Sequence, residues 1–389
     1  MKDKILKKID NFKLPQTAKS ERRRDALGLP KFDPGIPKVI EEGINWLCRA
    51  QDFSASLDGG VARDYSLKRE NWATSYPETT GYIIPTVLAC YKRFNDESLR
   101  KRAQRMLDWC VKIQLPDGGF QGGRIDAKPV VPVTFNTGQI LIGLAAGQAE
   151  FGDYLLPMQR AADFLSESLD EDGCWRSHPT PFAAPGEKTY ETHVSWGLFE
   201  AARLCPDRGY AEAGMKQVRW AISHQRENGW VKSCCLNDPA KPLTHTIGYF
   251  QRGVLEAYRY SGESDLLAAA EKLAGGLLTA LSADGQLPGR LDSNWKPAVD
   301  WVCLTGSVQN AHCFLILYEL TGDVRYREAG CLLNQYVRKT IHVEGAPEIR
   351  GGVKGSFPVD GEYGQYEFLN WAAKFAIDSN MLEEQIRAC

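Results

Sequence analysis

Residues 114–147 read QLPDGGFQGGRIDAKPVVPVTFNTGQILIGLAAG, and this stretch decides the fold. Asp117-Gly118 marks a turn, since glycine enters the left-handed backbone region at no steric cost. A loop rich in Gly, Pro and aromatic residues follows, and from Asn136 onward the chain is apolar on nearly every side. A helix without a polar face is a buried helix. Before the turn, residues 98–114 place apolar side chains at i, i+3, i+4 and i+7 with charges opposite, the pattern of a helix covered on one side only.

The same order of signals returns six times. Asp58-Gly59, Asp117-Gly118, Asp172-Gly173, Asn228-Gly229, Asp284-Gly285 and Glu344-Gly345 follow one another at 59, 55, 56, 56 and 60 residues. A small residue trails each pair by 20–23 positions: Gly81, Gly138, Ser195, Gly248, Gly306 and Gly364. One Asp-Gly pair is a weak signal, but two interleaved series in step over six cycles are a repeat. Amphipathic helices precede the turns, around Ile40–Cys48 and over 98–114, 155–169, 212–226, 264–281 and 324–340. Apolar helices follow them over 79–94, 136–151, 192–204, 245–260, 305–320 and 363–380. Six half-exposed helices alternating with six buried ones predict an all-α (α/α)6 toroid, two concentric rings with all six turns and all inner-helix N-termini on one face. The small residues let the inner backbones approach closely.

One closed domain over 35–389 then accounts for a chain well beyond the usual ~100–200 residues per domain. Residues 1–34 form a basic arm, whose first 25 residues hold nine Lys or Arg against four Asp or Glu. The arm reads as a solvated tail or a weak contact with an anionic membrane surface. The chain is 43% hydrophobic and 25% charged, which excludes a disordered chain, and its net charge of −2 argues against a nucleic-acid binder. No run approaches the ~18 apolar residues of a membrane span. Eleven scattered cysteines without a C-x-x-C pair, and no signal sequence, read as reduced thiols in a cytoplasm.

Polar side chains on the buried helices are the functional signal, because an unpaired buried polar group costs roughly 1–3 kcal/mol. His245, Tyr249, Arg252 and Glu256 form one stripe on the fourth inner helix, and Tyr363, Tyr366 or Glu367, Asn370 and Lys374 another on the sixth. Glu191 and His193 open the third; the others offer Glu78, Asn136, Gln139 and Gln309. These residues gather toward the N-terminal ends and would line the mouth of a funnel. The loops add Trp72, Trp175, Trp230 and Trp295, whose faces suit sugar rings, and the cations Arg290, Arg350 and Lys354. With six helix N-termini, those cations favour an anionic ligand. Thr79, Asn136, Thr192 and Thr305 also read as helix N-caps.

The six-hairpin pattern resembles two groups, the terpenoid cyclase and prenyltransferase toroids and the six-hairpin glycosidases, lyases and epimerases. YPETTGYIIPT (76–86), FNTGQILIGL (135–144), LTHTIGY (243–249), CLTGSVQNA (303–311), IRGGVKGSFP (349–358) and NWAAKFAID (370–378) also resemble toroid proteins encoded with bacterial exopolysaccharide and O-antigen synthesis genes. That resemblance implies an oligosaccharide or lipid-linked glycan as substrate.

The terpenoid branch implies D-x-D-D or D-D-x-x-D clusters, and the sequence has neither. Its zinc-binding members imply an Asp, Cys and His set; Asp300 and Cys303 have only His312 and His342 to complete one, so neither metal nor cofactor is expected. The carbohydrate branch offers two chemistries. A hydrolase needs paired carboxylates, for which Glu78, Glu191, Asp300 and Glu367 are candidates. A uronate lyase or epimerase needs a base, an acid and groups that stabilise developing enolate charge. His193, His245, Tyr249 and Tyr363 with Asn136, Arg252 and Arg350 fit the second set better, which makes proton abstraction from a uronate-containing glycan the leading expectation. A glycosidase, a prenyl-group enzyme and a non-catalytic glycan-binding toroid are the alternatives.

Overall fold

The structure is a computed structural model describing residues 13–388; the first part of the basic arm, residues 1–12, lies outside the described residues. Thirteen α-helices carry the fold among these residues. A short helix α1 (Gln16–Asp25) precedes six outer helices: α2 (Ile36–Asp52), α4 (Glu97–Ile113), α6 (Leu155–Glu167), α8 (Tyr210–Ile222), α10 (Ser264–Ala280) and α12 (Val324–Thr340). The inner ring comprises α3 (Pro77–Phe94), α5 (Thr134–Phe151), α7 (Thr192–Leu204), α9 (Thr244–Ser261), α11 (Leu304–Thr321) and α13 (Asn370–Ala388). Each inner helix packs on the next, and α13 returns to α3, so the ring closes. The (α/α)6 toroid read from the repeat is the fold.

The sequence explains both rings. On α5 every residue from Thr134 to Ala145 is buried, whereas α4 buries only a stripe of Leu99, Ala103, Met106, Leu107, Trp109 and Cys110. Inner helices pass to outer ones through tight turns. Asn95, Gly152, Gly262 and Gly322 end inner helices in the left-handed conformation, and the Asp96 and Asp323 carboxylates cap the next outer helices by accepting from Ser98 N and Arg325 N. Steric close approach is visible at Gly81 and Gly138, where an added Cβ would run into Ile140 and Val194 of the neighbouring inner helices.

Three expectations need correction. The sixth inner helix starts at Asn370 rather than near 363, so Tyr363, Gly364 and Glu367 belong to the preceding loop and strand. The N-caps of the first, second, third and fifth inner helices are Tyr76, Val133, Glu191 and Cys303; Thr79, Asn136, Thr192 and Thr305 lie inside the first turns. Residues 16–33 of the basic arm are docked on the toroid, through acidic residues: Glu21 and Asp25 accept from Lys354 Nζ at 2.7 and 2.6 Å, and Asp33 pairs with Arg338 at 3.0 Å.

Short strands seal the functional face. β1 (Asp64–Ser66) lies between β2 (Asn71–Trp72) and β5 (Glu367–Leu369), with Tyr65 opposite Trp72 and Phe368. β3 (Val302–Cys303) pairs with β4 (Ser356–Phe357). The β1–β5 pair ties the first cycle to the sixth. Among the described residues, no helix is long and apolar enough to cross a membrane.

Candidate active site

Where the inner-helix N-termini converge, a cavity of about 470 Å³ opens between the loops. Its wall takes Tyr76, Glu78 and Tyr82 from the start of α3, Phe135 and Asn136 from α5, and His245 and Tyr249 from α9. Tyr190, Tyr363, Glu367, Trp371 and the guanidinium groups of Arg63, Arg69 and Arg124 complete it. Six of the residues singled out from sequence therefore meet here: Glu78, Asn136, His245, Tyr249, Tyr363 and Glu367.

His245 is held by the neighbouring helix. Its Nδ1 lies 2.5 Å from Gln309 Oε1. A carbonyl oxygen only accepts, so Nδ1 carries the proton and Nε2 keeps its lone pair. Burial pulls the imidazole down to about 4, against the effect of its hydrogen bond to Gln309, so the ring is neutral at pH 7. His193 repeats this arrangement with Gln139, at 2.6 Å. The two imidazoles flank the Tyr249 ring at centroid distances of 4.5 Å each. Only His245 reaches the cavity. His193 is fully buried behind it, its Nε2 has no partner, and burial reinforced by Arg252 and Lys374 keeps it uncharged. Gln139 and Gln309 thus act as holders of the histidines.

Glu78 moves the other way. Burial raises its carboxyl to about 7, against a hydrogen bond from Tyr76 and the charge of Arg63. Between pH 4 and pH 7 the cavity accordingly presents a protonated carboxyl and an unprotonated imidazole. Asn136 adds a donor: it is 2% exposed, and its Nδ2 has no protein partner. The Tyr363 hydroxyl accepts from Trp371 Nε1 at 2.9 Å. Tyr82 and Tyr249 hydroxyls stand 3.3 Å apart at the floor.

The cations expected to bind an anion lie elsewhere. Arg252 sits deeper in the barrel, donating to Glu256 at 2.7 Å and stacked 4.1 Å over Trp196. Arg290 donates to Lys241 O at 2.8 Å, Arg350 faces Glu42 on α2 at 3.2 Å, and Lys354 is spent on the arm. The cavity's own cations are Arg63, Arg69 and Arg124, none of them marked by the repeat. Arg63 donates to Asp64 at 2.7 Å and Glu367 at 2.8 Å, and Arg69 to Asp64 at 3.1 Å. A charged Arg63-Asp64 pair a few residues after the first turn, following Gly59, Gly60, Val61 and Ala62, was the available signal.

The tryptophans also disperse. Trp230 and Trp295 meet edge-on at 5.4 Å, and Trp295 Nε1 donates to Asn228 O, which makes them a cover over helix ends. Trp72 packs against Trp46 and Tyr65 and borders a separate surface depression. Trp175 and Glu191 line a second cavity beside the first.

Solved structures share this architecture. An unsaturated glucuronyl hydrolase specific for heparin superposes with a TM-score of 0.73 at 15% identity, covering 91% of this chain and 98% of its own. A cellobiose 2-epimerase from Bacillus thermoamylovorans B4167 gives 0.67 at 12% identity, covering 89% and 99%. A D-mannose isomerase gives 0.69 at 12%, covering 92% and 99%. At these identities the likeness establishes the (α/α)6 toroid fold. No protein-family model and no curated protein sequence matches the chain.

Proposed function

We propose that this protein is a carbohydrate-active enzyme that transfers a proton at a sugar carbon next to a carbonyl or carboxyl group. The observation that carries the reading is the placement of His245 and Glu78 on one cavity with ionisation shifted in opposite directions. His245 Nε2 takes the proton from carbon. Glu78 supplies a proton to the opposite face in an epimerisation, or to the departing glycosidic oxygen in an elimination. Asn136 Nδ2 and the Tyr363 hydroxyl are placed to donate to the oxygen that gathers negative charge. For a uronate, Arg69 and Arg124 on the rim are the available carboxylate partners. The named neighbours, a hydrolase, an epimerase and an isomerase of sugars, support the substrate class.

A second reading rests on Glu367. Held by Arg63 and Arg69, it brings a second carboxyl group into the same cavity as Glu78, and a glycosidase requires such a pair. Incubation in deuterated water with cellobiose, mannose and glucuronate-containing oligosaccharides separates the two. Epimerisation places solvent deuterium at the carbon next to the carbonyl or carboxyl, elimination leaves an unsaturated product there, and in either case His245→Ala lowers the rate at least 100-fold. New reducing ends without deuterium on carbon, lost in Glu78→Gln and Glu367→Gln but not in His245→Ala, would instead establish hydrolysis.

A further inference from the structure

A second cavity of about 290 Å³ adjoins the first, and Phe135, Thr180 and Tyr190 line both. Its far wall is formed by Trp175, the segment 184–188 and Glu191. Two polar groups at this wall have no partner. Glu191 is 7% exposed and its Oε2 receives no hydrogen bond; Thr134 is 2% exposed and its Oγ1 makes none. Unpaired buried polar atoms are uncommon because each forfeits its hydration, so two of them facing one small cavity point to a ligand that completes them.

The charges specify what kind of ligand. Arg176 is already satisfied by Asp170, Asp172 and Glu187, at 2.8, 2.7 and 2.6 Å. The Lys188 ammonium donates to Leu236 O at 3.0 Å. Arg176 is thus spent on carboxylates, and the Lys188 ammonium is turned onto a backbone carbonyl. Burial raises the Glu191 carboxyl to about 8, against the charge of Lys188, so near neutrality it is a hydrogen-bond donor rather than an anion. Apolar and aromatic walls with a neutral carboxyl and a hydroxyl suit an uncharged, hydroxyl-rich ring.

We infer that the second cavity receives the sugar unit next to the one that reacts, with Glu191 and Thr134 bonding its hydroxyl groups, so that the substrate is a disaccharide or longer glycan. The inference rests on the reading of the first cavity as a sugar site. The test is calorimetric titration of the full chain with methyl β-glucoside and methyl β-glucuronide as single units, and with cellobiose and a glucuronate-terminated disaccharide as double units.

Each disaccharide is expected to bind at least tenfold tighter than its matched single unit. That ratio is expected to fall below threefold in Glu191→Ala and in Ala184→Trp, which fills the cavity from an exposed loop. Ratios unchanged in both variants overturn the inference. So does parent protein that binds single units, loses them in His245→Ala, and gains nothing from a second unit; that result leaves the proposed function standing. Failure to bind any of the four sugars contradicts both.

Discussion

Glu78 and Glu191 both reach the fold as carboxyls raised by burial, one to about 7 and the other to about 8. The sign of the linkage follows from the unfolded value of 4.5. Each group binds its proton more tightly in the folded chain, so its contribution is intact below pH 4.5 and is lost as pH rises through the folded value. Glutamine cannot ionise and escapes that loss. Glu191→Gln is expected to melt near the parent temperature at pH 5 and several degrees above it at pH 9, read by calorimetric scans across that range. A gap that does not widen with pH would mean that the Glu191 carboxyl is not raised.

At the same scale, the sequence shows which residues open the inner helices and not how deep a stripe runs. His245 and Arg252 share a helix face, but seven residues at 1.5 Å each separate them by about 10 Å along the barrel axis. One lines the cavity while the other pairs with Glu256 beneath it. Lys354 was equally unreadable, because its partners Glu21 and Asp25 lie 333 and 329 residues earlier.

Helices were legible wherever two signals agreed, and the one displaced element shows why. In five cycles the turn glycine sits against the carbonyl of the next outer helix: Gly59 on Arg105, Gly118 on Arg160, Gly173 on Lys216, Gly229 on Lys272 and Gly285 on Leu332. In the sixth cycle that place is taken by Gly351 against Glu42, while Gly345 has nothing within 4 Å of an added Cβ. The true turn thus lies six residues beyond Glu344-Gly345, and α13 starts late by a similar interval. A dipeptide reports a local turn; the contact that defines the repeat is long-range and leaves no local mark. Both glycines have positive φ, at 91° and 83°. Gly345→Ala should therefore cost only the left-handed penalty of about 1–2 kcal/mol. Gly351→Ala should cost at least ~2 kcal/mol more, since Glu42 backbone has to move. Urea denaturation of the two variants measures the difference, and equal losses would place the repeat where the dipeptide does.

The whole molecule closes around its site. The β1–β5 pair that joins first and last cycles also brings Arg63 and Asp64 to Glu367 at the cavity. Helix α1 supports the same region from outside. Asp25 accepts from Val359 N at 2.8 Å as well as from Lys354, within the segment that leads to Tyr363 and Glu367. Removing one partner of a buried ion pair strands the other, a loss of roughly 3–5 kcal/mol. Lys354→Met is expected to lose that much in urea denaturation, and Asp25→Asn in the same chain to recover part of it. Additive losses would show that the pair does not couple arm to toroid. The ring was readable because six cycles repeat one plan. The arm's docking was not, because nothing in its basic composition distinguishes the two acids that make the contact.

The pH dependence of kcat/KM for carbon–deuterium exchange into the substrate sugar tests the acid–base pair itself. With His245 as base and Glu78 as acid, the rate should hold between about pH 4 and pH 7 and fall on both sides, and Glu78→Gln should retain a low rate with no alkaline fall. A rate that climbs steadily through pH 8, or an alkaline limb that survives Glu78→Gln, would contradict the assignment.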